Sequence, residues 1–235
     1  MQHAVRLYQG FELFSNEMSE YLDGSRGHVR LWANMSALTE FLPDALGRFM
    51  NAHPRIRVEI EEQLSGDIVR ALLDGIADVG VFADGTPAHG VTVETFQTDE
   101  LVVVCSKNHP LAKRKRLSFA ECLEHSFVGL NRGSSLLELI SRAAEAVGQP
   151  LRLRIQVRSF DAMCQMIAAN LGIGVLPRAT CEPLLRPRGL VALKLTDNWA
   201  NRQLLLGYVD EQSLSSATRL MIEHLRNPLR VDSQR

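Results

Sequence analysis

Four serines stand where a strand gives way to a helix in this 235-residue sequence: Ser36 after VRLWAN, Ser65 after IRVEIEEQL, Ser134 or Ser135 after FVGLNRG, and Ser159 after RLRIQVR. A serine at such a junction can accept from the backbone N–H groups that open a helix and have no intrahelical partner. Each helix start also carries roughly half a positive charge, which suits a carboxylate or a similar anion. In an open parallel sheet the four starts would gather at the carboxyl edge, where ligands of such sheets settle. The chemistry expected is recognition of a small polar or anionic molecule. Any single one of these serines could equally serve as an ordinary helix cap.

The elements that must position them follow from periodicity. In residues 159–177, SFDAMCQMIAANLGIGVLP, apolar Phe160, Met163, Cys164, Ile167 and Leu171 recur at helical spacing before Gly172, Gly174 and Pro177 end the run. An alternating strand at 152–157 precedes that helix and a short apolar strand at 173–176 follows it, giving a βαβ unit of the kind that builds parallel sheets. Residues 29–34, 56–62 and 79–83 read as strands, and the helices between them carry Leu42, Leu46 and Phe49, then Ile68, Val69 and Leu72. Pro43 lies too deep for a helix capped by Ser36, so either a short turn precedes the main helix or that helix kinks. Further strands are expected at 92–104, 127–130, 191–195 and 203–209, and a helix over 136–147 that Gly148 stops. A closing helix over 214–225 should turn Ala217, Leu220, Met221 and His224 inward. Residues 1–22 place Ala4, Leu7, Phe11, Phe14, Met18 and Tyr21 at alternating spacings of three and four. That is the heptad seam of a pairing helix, or else an amphipathic helix packed on its own domain.

Composition excludes more than it selects. The chain is 46% hydrophobic and 23% charged, ordinary globular material. Residues 1–100 hold 7 Lys+Arg against 16 Asp+Glu, whereas residues 101–200 hold 14 against 7. An acidic and a basic half could draw an anion between them, or could be unrelated solvated surfaces. The basic run 113–116 reads as a solvated loop, and a pI near 6.7 gives no nucleic-acid signature. Cys105, Cys122, Cys164 and Cys181 lack metal spacing and read as core thiols of a reduced compartment. No signal-peptide pattern and no apolar run of membrane-spanning length is seen, so no membrane partner is expected. No GxSxG, P-loop or HExxH motif occurs, and adjacent Glu61 and Glu62 point to opposite faces of their strand, which does not suit paired acid–base work. His89, His109 and His125 fall in expected loops and read as solvated.

The segment AANLGIGVLP behind a serine-led helix, with HPRIRVEIEE, ALLDGIADVGVF (including Asp78) and NHPLA, resembles the effector-binding domain of LysR-type transcriptional regulators. The resemblance covers about residues 1–230. It implies an α/β, type II periplasmic-binding-protein-like fold of two lobes, each a mostly parallel sheet flanked by helices. Residues 1–24 would be the remnant of a dimerising linker helix, 25–99 lobe I with a return at 201–235, and 100–200 lobe II. The positions matching the effector contacts of the family are Ser36 with Ala37, Ser65 with Gly66, Arg132 with Gly133 and Ser134, and Ser159 with Phe160. Arg158 would either face the cleft or pair on the surface.

By the same resemblance the effector is a small molecule, by default a carboxylate, held between the lobes of a cytoplasmic homodimer or homotetramer. No cofactor, metal or catalysis is implied. DNA would be contacted only through an N-terminal helix-turn-helix that nothing here matches, so the chain reads as a fragment or head-less product. Peroxide-sensing members need two cysteines where this sequence has GLNRGSSLLELI, and a thiol switch is not expected. A solute-binding protein for a small anion is the alternative, disfavoured by the missing signal peptide and by the heptad helix.

Overall fold

The computed structural model describes residues 27–210 and 214–226. In chain order its elements are β1 (His28–Ala33), α1 (Met35–Glu40), α2 (Leu42–Ala52), β2 (Arg57–Glu62), α3 (Ser65–Leu73), β3 (Val79–Ala83), β4 (Thr92–Ser106) and β5 (Arg116–Leu117). They continue with α4 (Phe119–Cys122), β6 (Phe127–Leu130), α5 (Ser135–Ala146), β7 (Leu153–Val157), α6 (Phe160–Ala168) and β8 (Gly174–Pro177). Last come α7 (Arg178–Leu185), β9 (Leu190–Leu195), β10 (Asn201–Tyr208) and α8 (Ser216–Arg226). Two compact units divide between Phe96 and Gln97 and between Gln203 and Leu204. β4 and β10 are the strands that run through those boundaries. The pairing helix expected over residues 1–22 lies outside the described residues.

In the first unit β1 pairs in parallel with β2 and with β3, and β10 joins β3 antiparallel. Strand alternation sorts the side chains onto two faces. Val29, Leu31, Val79, Val81, Leu204 and Leu206 pack with Phe49 of α2 and with Met221 and Leu225 of α8. Trp32, Phe82 and Leu205 face Ile68, Val69 and Leu72 of α3. A Cβ on Gly80 would lie 2.6 Å from Ile68 Cγ2 and 2.9 Å from a Leu72 methyl, so glycine there is what lets α3 press onto β3. The entry to β3 is tied to β1 by Asp78, whose carboxylate accepts from the Arg30 backbone N–H at 2.7 Å and from its guanidinium at 2.7 Å.

The second unit is mixed. β6 and β7 pair in parallel, with Leu130 beside Val157, whereas β4 pairs antiparallel with β8 and β9 and β5 pairs in parallel with β9. The expected βαβ unit forms only at its root: after α6, Ile173 bridges Phe127 in parallel, then β8 turns onto β4. β4 explains the switch, because it is buried from Leu101 to Ser106 and needs a partner along that run.

The structure settles one open expectation, corrects another and adds a helix. The question over Pro43 resolves to a separate short helix, α1, with Pro43 in the first turn of α2. The buried face of α8 is Ala217, Thr218, Met221, Ile222 and Leu225, while Leu220 is 39% exposed, because the apolar stripe is rotated by one residue from the expected one. α7 was not expected at all: it buries only Cys181 and holds Pro183, so its periodic signal is faint.

Where β4 and β10 enter the second unit, Arg202 Nε donates to Asp99 Oδ2 at 2.8 Å, and both residues are buried. The other ion pairs among the described residues are part-exposed or exposed. Removing one partner leaves an uncompensated buried charge, whereas a matched apolar pair avoids desolvation altogether. Asp99→Ala alone should therefore lose about 3–5 kcal/mol in urea unfolding, and Asp99→Leu combined with Arg202→Met should recover most of that loss.

Candidate functional site

In the first unit, β1, β2 and β3 end together, and the chain turns there into α1 and α3. The cap of α1 is not Ser36 but Asn34, whose Oδ1 accepts from the Ala37 N–H at 3.0 Å. Ser36 sits inside the first turn and is buried. Ala37 is fully buried and its N–H is already bonded, so it offers no donor. Asparagine caps as well as serine does, and Asn34 directly after the strand was the signal to read. Ser65 is likewise not the cap of α3, a position taken by Leu64. Its hydroxyl instead accepts from the Ala83 N–H at 3.3 Å and from Asn34 Nδ2 at 3.4 Å, which ties the ends of β1 and β3 to the start of α3. Both bonds use the oxygen, so the hydroxyl proton has no acceptor among the described residues. Gly66 is exposed, and a Cβ on it would meet nothing within 4 Å.

The second unit repeats the arrangement with two serines that do cap. Ser134 Oγ accepts from the Leu137 N–H at 3.3 Å at the start of α5, and Ser159 Oγ accepts from the Ala162 N–H at 3.2 Å at the start of α6. Because β6 and β7 are parallel neighbours in register, these two starts share one edge. Between β6 and the cap, Gly133 has φ +84, a left-handed turn that glycine adopts without strain, and the Ser134 N–H closes it onto Asn131 O at 3.3 Å. Arg132 and Arg158 are exposed at the ends of β6 and β7. Phe160 is 3% exposed, so its ring belongs to the core and only its backbone N–H can serve a ligand.

Other candidate chemistry is occupied or silent. His109 and His125 are half-buried rather than solvated, with ring centroids 4.8 Å apart, and His109 Nδ1 accepts from the Leu111 N–H at 3.2 Å. Burial and the neighbouring His125 push the His109 pKa down. All four cysteines are free and buried. Burial pushes the Cys105 thiol up to about 11 and the Cys122 and Cys181 thiols up to about 12, far from thiolate chemistry near neutral pH. No group of three or more metal-ligating side chains occurs among the described residues.

A family model for the LysR substrate binding domain matches residues 22–230. The chain belongs to that family. It is 30% identical over 207 residues to the RuBisCO operon transcriptional regulator of Allochromatium vinosum, covering 86% of this chain and 68% of that protein. It is 25% identical over 230 residues to the SDS degradation transcriptional activation protein of a Pseudomonas species, covering 94% of this chain and 73% of that protein. Among solved structures, the effector binding domain of QuiR in complex with shikimate matches with a TM-score of 0.76 at 19% identity, over 86% of this chain and 96% of that one. The regulatory domain of CcmR from Synechocystis, in complex with 2-PG, matches with a TM-score of 0.79 at 21% identity, over 87% and 98%. The effector binding domain of BenM with its effector benzoate matches with a TM-score of 0.73 at 18% identity, over 87% and 92%. The fold of this LysR-type domain is thus the type II periplasmic-binding-protein-like α/β fold.

The Asn34 cap gives a direct check on the first edge. Asn34→Ala should cost roughly 1 kcal/mol in urea unfolding for the lost cap. The same variant should also loosen Ser65, read as faster amide exchange at Ala83 than in the parent.

Proposed function

We propose that this LysR-type domain senses a small anionic metabolite, most simply a carboxylate, held between its two lobes. In this reading Ser65 and Gly66 engage the ligand from one lobe, and Arg132, Ser134, Ser159 and the Phe160 N–H engage it from the other. Ala37 shapes the first edge from behind, since it is fully buried and its N–H is already bonded to Asn34, and Ser36 stands beside it in the first turn of α1.

The observation that carries the reading is Ser65. A buried hydroxyl that accepts two bonds and still holds a proton to give is a donor waiting for an acceptor, and it sits at the positive end of α3 beside an uncovered glycine. Support also comes from similar domains whose structures hold shikimate, 2-PG and benzoate. The surplus of 14 Lys+Arg over 7 Asp+Glu in residues 101–200 favours the approach of an anion to the second lobe. The effector would act by binding one arrangement of the protein better than another, since equal affinity shifts no equilibrium. In the full-length regulator that shift would alter a homodimer or homotetramer on its operator DNA, in the cytoplasm.

Thermal unfolding against a panel of small carboxylates, amino acids and neutral metabolites tests this. A ligand present at about 100 times its dissociation constant adds ~2.7 kcal/mol of stability, a clear melting shift. Gly66→Leu should melt like the parent or slightly higher, because the new side chain enters open space in a helix, yet it should lose the shift. An undiminished shift in Gly66→Leu would remove α3 from the site.

A further inference from the structure

The start of α6 carries a feature that an anion-binding edge should not tolerate. Asp161 lies in the first turn, two residues beyond the Ser159 cap, where its charge would occupy the positive end of the helix and repel an incoming anion. The fold answers that charge from a distance. Arg188, ahead of β9, donates through Nη2 to Asp161 Oδ1 at 2.5 Å and through Nη1 to the Asp161 carbonyl at 3.0 Å. Gln165 Nε2 donates to the other carboxylate oxygen at 2.9 Å. Both oxygens of Asp161 are thereby engaged, and the pair presents no net charge beside Ser159. The first-turn acid of α3 is matched in the same way, with Arg70 Nη1 on Asp67 Oδ1 at 3.0 Å.

We infer that Arg188 is a positioning residue of the effector edge: it neutralises and anchors Asp161, so that the start of α6 stays open to an anion. This rests on the reading that the edge binds an anion, and it adds the residue that keeps it able to do so. The side chains of Asp161 and Arg188 are 54% and 25% exposed, and such pairs contribute little to stability. Their loss should therefore show in anion affinity and not in folding.

The test follows the amide resonances of Ser159 and Phe160 while inorganic phosphate or acetate is added to the parent and to variants first shown to melt like it. Arg188→Gln should weaken the titration about three- to fivefold, since it leaves a bare carboxylate at the helix start. Asp161→Asn in the same chain should restore parent affinity or better, and Asp161→Asn alone should not weaken it. Arg188→Lys, which keeps the charge without the fork, should fall between. A structural role alone would make the double variant at least as poor as Arg188→Gln. Equal affinity in Arg188→Gln and the parent, or no recovery in the double variant, overturns the inference while leaving the anion edge standing. No response of these amides in the parent to either anion removes the edge and the inference together.

Discussion

Parallel pairing of β1 with β2 and β3, and of β6 with β7, is the constraint from which the rest of the molecule follows. Parallel strands end on one edge, and the helices that return the chain must begin there. Unpartnered N–H groups and positive dipole ends are thereby concentrated on two edges, one in each unit. The protein answers part of that demand internally: Asn34 caps α1, Ser134 caps α5 and Ser159 caps α6. What is left over, the Ser65 proton and the remaining first-turn N–H groups, is what the proposed effector would use.

The same economy governs charge. An acid in the first turn stabilises a helix but competes with an anionic ligand for the same N–H groups. Asp67 is matched by Arg70 and Asp161 by Arg188, which in the proposed reading keeps both helix starts open to an anion. Among the described residues, buried charge is confined to Asp99 and Arg202, on the two strands that pass between the units. An ion pair there is poor value as a source of stability, and better suited to fixing how two strands lie against each other.

Much of this was legible in the sequence, and what was not has physical reasons. Strands with strong alternation or full burial, such as β1, β3 and β6, and helices with a clean apolar stripe, such as α5 and α6, stand where periodicity put them. The caps were harder, because a junction such as NMS offers two good capping residues and only the backbone conformation decides between them: Asn34 has ψ 162 and is extended, while Ser36 already lies in the helix. Ser65 is one residue too late to cap, yet that places its hydroxyl against Ala83, a contact 18 residues away that no local pattern encodes. Arg188 was invisible for the same reason, since its partner lies 27 residues upstream. α7 was missed because its burial is slight and a proline interrupts it.

The most direct test of the central claim is a crystal structure of the domain with whichever carboxylate raises its melting temperature. The account predicts the carboxylate within hydrogen-bonding distance of Ser65 Oγ or the Gly66 N–H, and of the helix starts at Ser134 and Ser159. Clear density for the ligand elsewhere, with these two edges untouched, would contradict it.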